Sequence, residues 1–262
     1  MRFKQVITLF ISITLILLLI PTATANDQIY QRPINTLSDE YWVDFHVNTN
    51  YASDTAQPIY ESATGYIEGE QSAIDNHYTY NAYYFWDWSK SMIIEGSMKP
   101  AKIFNILTSG GVKEPEYVCQ WHWGWPPIIC YWIPGYNYIY TYLGEKIKYS
   151  DIPSLYHSNY PDNTRAALAV ILSPKSGYNT HHFYPLSIAF VGSGARVFVG
   201  FNDEPSIPIT DISLAWFAKH LYDAISMGFS IQDSVEYAVG QVDTIDACEA
   251  VINGNNSLIL VS

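Results

Sequence analysis

The stretch "AALAVILSPKSGY", residues 166–178, decides the fold class of this chain. Its first part is apolar without interruption to Leu172, which is typical of a strand buried on both faces of a parallel sheet. Its second part is small and polar, which predicts a turn at the carboxyl end of that strand. Parallel sheets place ligand and catalytic sites at such strand ends. This strand end has no cysteine, histidine or carboxylate, so its role has to be inferred from its surroundings.

Strand and helix patterns alternate on either side of this stretch. Continuous apolar runs predict buried strands, and apolar residues spaced three and four apart predict helices between them. The alternation predicts an α/β fold, a mostly parallel sheet with helices on both faces. An aromatic-rich irregular insertion over about residues 112–165, with a hairpin near its end, interrupts this order. The predicted strands are 41–47, 101–107, 166–172, 195–201 and 257–261, and the insertion hairpin is 136–149. The predicted helices are 52–66, 79–93 and 185–194. Two more helices are predicted, one from a cap at Thr210 or Asp211 to Gly228 and one that begins at a Ser230–Asp233 capping box.

The first 25 residues have the features of a secretory signal peptide. Arg2 and Lys4 precede an apolar run over residues 6–20, and an Ala-Thr-Ala sequence then predicts cleavage before Asn26. An uncleaved membrane anchor is the alternative, but a run of about 15 residues is shorter than the ~20 that a spanning helix needs. We therefore predict a secreted or cell-surface protein with no stable membrane span after cleavage. The rest of the chain is predicted to comprise an N-terminal segment and one α/β domain, residues 26–49 and 50–262.

The chain is strongly acidic. It has 13 Lys and Arg residues against 25 Asp and Glu residues, a formal charge of −12. Removal of residues 1–25 takes away two basic groups and no acidic one, which leaves 11 against 25, or −14. Nucleic acid and anionic lipid both bind through positive charge in the protein, so this composition disfavours both as partners.

The three cysteines indicate one disulfide. Cys119 and Cys130 flank "QWHWGWPPII", whose two prolines can turn the chain, so we predict a disulfide that closes a short loop. A metal site that includes His122 is the weaker option, because no fourth ligand stands at a familiar spacing. Cys248 is predicted to be a lone buried thiol.

The sequence "GARVFVGFNDEPSIPITDISLAWFAKHLYDAISMGFSIQDSVEYAV", residues 194–239, resembles the C-terminal half of secreted caspase–gingipain-like domains, a family of cysteine peptidases. The shared features are a Gly-Ala-Arg strand, a short loop and a helix that ends in a characteristic Gly- and Ala-containing pattern. The earlier elements follow in the order of the family, so the resemblance covers roughly residues 50–262. It implies a caspase-like fold in which a histidine follows one strand and a cysteine follows the next.

The resemblance also implies that this chain lacks the catalytic dyad of the family. The corresponding strand ends are "LTSGG", residues 107–111, and "LSPKSG", residues 172–177. Ser109 stands near the expected histidine, and Pro174 or Lys175 stands at the expected cysteine. Serine does not shuttle a proton near neutral pH as imidazole does, and neither proline nor lysine supplies a thiolate.

Other side chains are candidates for a different catalytic pair. Ser109, Ser173 and Ser176 are candidate nucleophiles, with His181 or His182 as the general base. No Gly-x-Ser-x-Gly elbow is present, and a serine in a Gly-rich turn more commonly stabilises the turn itself. Cys119 and His122 would form a close Cys/His pair, but the predicted disulfide would inactivate that thiol.

A bound metal ion is a further alternative. The two adjacent histidines could share an ion with Asp203, Glu204 or Asp211, but adjacent strand residues point to opposite faces of a sheet. Calcium in the loop "NDEP", residues 202–205, would suit an acidic exterior protein, although the spacing matches no defined calcium loop. We therefore predict no metal site and keep calcium as the open alternative.

The insertion concentrates flat aromatic rings in about 20 residues. If the stretch is extended, the alternation of Trp121, Trp123 and Trp125 places three indoles on one face. Together with Trp132, such a face could stack on a polysaccharide or bind an extracellular protein. The alternative is that these rings cover the edge of the sheet or fill a small core under the loop.

Three functions are consistent with these features. The first is a secreted, non-catalytic relative of caspase–gingipain-like peptidases that serves as an extracellular binding or surface-associated module. The second is an active secreted hydrolase with an unconventional Ser/His or Cys/His pair. The third is a cell-surface structural protein.

Overall fold

The computed structural model describes residues 41–74, 78–91, 101–152, 167–202, 209–245 and 249–262. Helices and strands alternate over these residues. In chain order the elements are β1 (Tyr41–Val47), α1 (Ala56–Ser62), α2 (Thr64–Ile67), β2 (Tyr80–Trp86), β3 (Ala101–Leu107), β4 (Gly110–Lys113), β5 (Glu116–Trp121), β6 (Ile128–Ile133), β7 (Gly135–Tyr140), β8 (Lys146–Lys148), a 3-10 turn (Tyr149–Asp151), β9 (Leu168–Leu172), β10 (Phe183–Tyr184), α3 (Leu186–Gly192), β11 (Val197–Phe201), α4 (Asp211–Ser226), α5 (Ile231–Gly240) and β12 (Ala250–Gly254).

A six-stranded sheet in the order β12-β11-β9-β3-β1-β2 forms the centre of the fold. Neighbouring strands are parallel except β11 and β12, which are antiparallel. This confirms an α/β fold with a mostly parallel sheet. The predicted last strand, 257–261, is wrong, because the last strand of this sheet is Ala250–Gly254 and the later segment forms isolated bridges at Ile259 and Val261. An edge strand tolerates polar residues, so "AVING", residues 250–254, is less apolar than "SLILV", residues 257–261, and was not predicted as a strand.

Helices pack on both faces of this sheet, as predicted. Successive strand residues point to opposite faces, so the central strands contribute to two separate cores. Helices α1, α2, α4 and α5 cover one face, and α3 covers the other together with β7 and β8. The first core includes Val43, Phe45, Tyr60, Val170, Phe201, Phe217 and Tyr222, and the second includes Phe104, Ile139, Ile147, Ile171, Phe190 and Phe198.

The helix predicted at residues 79–93 is wrong, because Tyr80–Trp86 is an edge strand parallel to β1. Four consecutive aromatic residues favour an extended backbone, on which large rings pack against the neighbouring strand. Trp42 of β1 stacks on Tyr83 with 4.8 Å between ring centroids. Such cross-strand pairs stabilise a sheet and outweigh the spacing of apolar residues that suggested a helix.

The insertion is more regular than its sequence predicts. β4, β7 and β10 form a small sheet to which β8 adds by pairing with β7, which confirms the hairpin predicted at 136–149. β5 and β6 form a separate two-stranded antiparallel hairpin. The part of the insertion that was predicted to be irregular therefore consists mainly of paired strands, up to residue 152.

The predicted N-terminal caps of the last two helices are confirmed. Thr210 accepts a hydrogen bond from the backbone N–H of Ser213 at 3.1 Å. Ser230 accepts one from the backbone N–H of Asp233 at 3.2 Å and also donates to its carboxylate at 2.6 Å. Such caps satisfy N–H groups that have no partner within the helix.

Several predictions concern residues outside the described ranges. These are the signal peptide at 1–25, the acidic residues Asp203 and Glu204 of the calcium alternative, and the thiol of Cys248. Within the described ranges no helix is long and apolar enough to cross a membrane.

Candidate functional site

The strand ends "LTSGG" and "LSPKSG", which follow β3 and β9, lie against each other. β3 and β9 are neighbouring parallel strands, and the backbone N–H of Thr108 donates to the carbonyl of Leu172 at 3.1 Å. A side chain at Gly110 would overlap the hydroxyl of Ser173 and would lie 3.1 Å from the carbonyl oxygen of Pro174. The strand ends at residues 107–111 and 172–177 therefore meet with no room for a larger residue at that glycine.

Two of the candidate nucleophiles are buried in the second strand end. The hydroxyl of Ser176 donates to the carbonyl of Ile171 at 2.8 Å and accepts from the N–H of Phe201 at 3.0 Å. Ser173 is also buried, and its hydroxyl lies against Gly110. The Ser176 hydroxyl thus joins the ends of β9 and β11 and stabilises the turn. Ser109 is half-buried, and its carbonyl accepts the N–H of Tyr140 at 3.0 Å.

Asn137 of β7, which the sequence analysis did not select, holds the second strand end in place. This buried amide donates to the carbonyls of Lys175, Ser176 and Tyr178 at 3.1, 2.6 and 3.3 Å. Its carbonyl oxygen accepts the N–H of Leu186, at the start of α3, at 2.7 Å. The alternation "YNYIY" places this asparagine on the buried face with Ile139, and a polar residue at an inward position is the signal that could have identified it.

Asn48 plays the corresponding part at the first strand end. Its side chain donates to the hydroxyl of Thr108 at 3.0 Å, and that hydroxyl donates to the carbonyl of Tyr140 at 2.7 Å. The backbone N–H of Asn48 donates to the carbonyl of Leu107 at 3.0 Å. These bonds join the ends of β1 and β3 to the small sheet, so both strand ends depend on residues of the insertion.

A ladder of tyrosines forms the outer face of the small sheet. Tyr136, Tyr138 and Tyr140 alternate with buried residues along β7, and the ammonium of Lys146 lies 4.0 Å from the ring centroid of Tyr138. A hydrogen bond with Tyr140 and burial raise the pKa of Tyr138, and the nearby charge of Lys146 opposes this rise. Lys148 lies over the ring of Tyr136. Each lysine is thus directed along an aromatic face of its own sheet.

The candidate bases are not paired with the candidate nucleophiles. His181 and His182 are both exposed, and the ring of His182 stacks on Trp132 with 4.8 Å between centroids. Within the described residues no hydrogen bond joins either imidazole to a serine of the two strand ends. In the same part of the chain no group of three or more His, Cys, Asp or Glu residues could hold a metal ion.

Asp211, the remaining described candidate for metal binding, serves a structural contact. Its carboxylate accepts the backbone N–H of Ser53 at 2.7 Å. Partial burial raises the pKa of Asp211, but hydrogen bonds from Ser53 outweigh that effect, so the net pKa lies below the usual range. The charged carboxylate therefore connects the start of α4 to the segment before α1.

The hairpin of residues 116–133 carries the predicted disulfide. Cys119 and Cys130 lie directly opposite each other in the antiparallel pair, with 4.0 Å between their Cα atoms, and their sulfurs are bonded. The pairs Tyr117–Trp132 and Trp121–Ile128 occupy the same face of the hairpin on either side of the disulfide. The rings of Tyr117 and Trp132 lie 5.1 Å apart. The cross-link thus sits in the middle of an aromatic face.

The tip of the hairpin exposes its tryptophans to solvent. The exposed fractions are 65% for Trp121, 96% for Trp123 and 94% for Trp125. The expectation that these three share one strand face is wrong, because β5 ends at Trp121 and the other two lie in the connecting loop, residues 122–127. The alternative expectation, a small core under the loop, is also wrong for Trp123 and Trp125, since almost nothing covers them.

The hairpin contains no charged side chain from Tyr117 to Ile133, a run that includes one histidine and no Asp, Glu, Lys or Arg. Ile128, Ile129 and Tyr131 are also exposed on its second strand. Soluble proteins seldom expose large contiguous apolar surface, and such surface usually marks a site of interaction. Comparison of the chain with protein-family models and with curated proteins found no match in either.

Proposed function

We propose that this protein is a secreted, non-catalytic relative of caspase–gingipain-like peptidases. In this proposal it acts as an extracellular binding or surface-associated module whose contact surface is the hairpin of residues 116–133. The observation that carries the proposal is the nearly complete exposure of Trp123 and Trp125 at the end of a disulfide-linked hairpin. Indole rings that stay in water in the free protein are favourable to bury on binding.

The arrangement of the strand ends supports the family part of the proposal. The resemblance requires the two catalytic positions to follow strands whose ends approach each other. β3 and β9 are direct neighbours, and their ends meet at Gly110 and Ser173. Ser109 lies at the first of these ends, and Pro174 and Lys175 lie at the second.

The hydrogen bonds of the strand ends support the non-catalytic part. A serine nucleophile needs a free hydroxyl within reach of a general base. The hydroxyl of Ser176 is buried between two backbone partners, and His182 stacks on Trp132 instead of approaching a serine. Ser109 is the candidate that is best exposed, so it is the residue on which the hydrolase alternative depends.

The disulfide supports an extracellular setting. Disulfides form and persist in oxidising compartments, and cytosolic proteins rarely contain them. Cys119 and Cys130 are exposed in the hairpin, where the bond would be accessible to cytosolic reductants. An exterior location therefore fits the bonded state of these cysteines and the apolar run at residues 6–20.

The proposal is tested with the mature chain, residues 26–262, and a panel of immobilised surfaces. The panel contains insoluble polysaccharides, beads coated with neutral lipid, and uncoated beads. We expect retention on at least one coated surface, and at least a tenfold loss of retention in the double variant Trp123→Ala/Trp125→Ala. Trp86→Ala is the matched control, because Trp86 is 61% exposed on the edge strand β2, outside the hairpin.

Two results would contradict the proposal. Equal retention of the double variant and the parent chain would show that the hairpin is not the contact surface, and no retention on any surface would favour a structural protein. Covalent labelling by fluorophosphonate or acyloxymethylketone probes that Ser109→Ala abolishes would establish the hydrolase alternative instead.

A further inference from the structure

We infer that the surface to which the hairpin binds is an uncharged lipid bilayer, into whose interfacial region the tip from Trp121 to Ile129 inserts. This inference rests on the proposed function, because it names the partner of the hairpin. The exposure of the tip is the first observation. Trp123 and Trp125 lie in the loop at the end of the hairpin and are 96% and 94% exposed, so they line no concave pocket of the kind that binds small ligands and sugars. An exposed apolar tip fits a partner that deforms around it.

The charges of the hairpin and of the whole chain both favour a lipid without net charge. The run from Tyr117 to Ile133 is uncharged, so its transfer out of water desolvates no ionised Asp, Glu, Lys or Arg side chain. The whole chain has a net charge of −12, which opposes approach to an anionic membrane. The acidic chain and the neutral tip together favour a zwitterionic bilayer.

The composition of the tip matches the chemistry of the membrane interface. Tryptophan concentrates at the headgroup level of membranes, where its ring meets apolar chains and its N–H meets polar groups. Three of the eight tryptophans of the chain lie between residues 121 and 125, and Ile128 and Ile129 follow. A polysaccharide site would also need hydrogen-bonding side chains beside the rings, and the stretch from Trp121 to Ile129 offers only His122 and the indole N–H groups.

The backbone of the tip is suited to an environment that is poor in water. An unpaired N–H group is costly to move toward hydrocarbon. The N–H of His122 donates to the carbonyl of Pro127 at 2.8 Å, and the N–H of Gly124 donates to the carbonyl of His122 at 2.9 Å. Pro126 and Pro127 have no N–H at all. The loop therefore has few unpaired donors to desolvate.

The length of the hairpin fits a shallow insertion. Interfacial segments bury their apolar surface about 5–10 Å into the boundary between headgroups and acyl chains. At ~3.4 Å per strand residue, this depth takes in the loop and the Trp121–Ile128 pair, with Ile129 and its partner Gln120 at the boundary. Glu116, the nearest acidic residue on β5, lies about 17 Å along the strand from Trp121 and stays in water. The disulfide and the stacking of Trp132 on His182 hold the hairpin before it meets the membrane, so binding orders little additional chain.

The test uses the oxidised mature chain and vesicles of phosphatidylcholine alone, with flotation as the measure of binding. We expect binding that does not change between about 0.05 and 0.5 M salt, because no charge pair is involved. We expect Trp123→Ala/Trp125→Ala and, separately, Trp123→Glu to reduce the partition coefficient at least tenfold, with Trp86→Ala unchanged.

Phosphatidylserine added to the vesicles should weaken binding. Lipids brominated near the glycerol should quench tryptophan fluorescence more than lipids brominated at the chain ends.

Failure of this inference is distinguishable from failure of the proposed function. Retention on a polysaccharide that depends on Trp123, without flotation on phosphatidylcholine, would overturn the lipid assignment and leave the binding module intact. Self-association that the double variant abolishes, without flotation, would do the same and assign the hairpin to a second copy of this chain. Flotation to which Trp123 and Trp125 make no difference would overturn both.

Discussion

Replacement of Asn137 by alanine should loosen the second strand end and lower the stability of the whole domain. The side chain makes four contacts, three as donor to the carbonyls of Lys175, Ser176 and Tyr178 and one as acceptor from the N–H of Leu186. An amide has two N–H groups, so the three carbonyls share them and about three full bonds are lost. At a net ~1 kcal/mol per buried bond this is about 3 kcal/mol.

The cavity adds to that loss. Asn137 is fully buried, and the removal of its amide leaves a space that the surrounding strands fill only in part, at about 1 kcal/mol. The expected decrease in the free energy of unfolding is therefore about 4 kcal/mol. With a urea dependence of ~2.5 kcal/mol/M, the unfolding midpoint should fall by about 1.5 M. Asn50→Ala is the matched control, because Asn50 makes an exposed hydrogen bond to the carbonyl of Tyr142 and should cost less than 1 kcal/mol.

The variant Asn137→Asp tests whether the amide of Asn137 stabilises the fold as a hydrogen-bond donor or only by filling space, because aspartate has nearly the same size. This variant keeps an acceptor for Leu186 but directs a carboxylate toward three carbonyls, so the folded state favours the protonated acid and raises its pKa. A raised pKa gives stability that is present below ~4 and is lost as the pH rises. The variant should therefore be less stable than Asn137→Ala at pH 7 and should recover toward pH 4. A loss below 1 kcal/mol for alanine, or no pH dependence for aspartate, would refute the role assigned to Asn137.

Two further predictions concern contacts of α4. Tyr222→Phe should destabilise the protein by about 1–3 kcal/mol in urea unfolding, because it removes the partner of the buried amide of Asn105, which donates to the tyrosine oxygen at 2.7 Å. The additional change Asn105→Leu should restore part of this loss, and a further loss of more than 1 kcal/mol would contradict the argument. The lowered pKa of Asp211 implies stability that is present above ~4 and decreases as the pH falls through its folded-state pKa. Asp211→Asn should flatten that acid limb of the stability profile and cost about 1 kcal/mol at pH 7, whereas an unchanged profile would show that the bond to Ser53 contributes nothing.

The central strands and the last helices could be predicted from sequence because their signals are local. β9 and β11 are short apolar runs, β1 has the alternating pattern of a strand, and the caps at Thr210 and Ser230 depend on residues three positions away. β2 was mistaken for a helix because its aromatic residues are stabilised by rings of the neighbouring strand, a contact that no local pattern contains. Strand propensity depends on such neighbours more than helix propensity does.

The candidate site was predictable only in part. The apolar runs that end in small polar turns predicted both strand ends, and the structure brings them together at Gly110 and Ser173. The residues that hold them could not be deduced, because Asn137 contacts partners 38 to 49 positions away in the chain. The exposure of Trp123 and Trp125 was equally hard to anticipate, since large apolar residues are more often buried than exposed. The sequence therefore left an exposed face and a small core open as alternatives, and the structure has exposed rings at Trp123 and Trp125.

The hairpin and the ends of β3 and β9 are joined through the same small sheet. β4 begins at Gly110, within the first strand end, and pairs with β7, so the base of the hairpin is closed by the pair Lys113–Tyr136. The same β7 supplies Asn137, which fixes the second strand end. The small sheet therefore connects the hairpin that carries the exposed tryptophans to the ends of β3 and β9. Under the proposed function, a firmly held hairpin depends on Gly110, Ser176 and Asn137, and it places no requirement on a histidine near Ser109 or on a cysteine at Pro174 or Lys175.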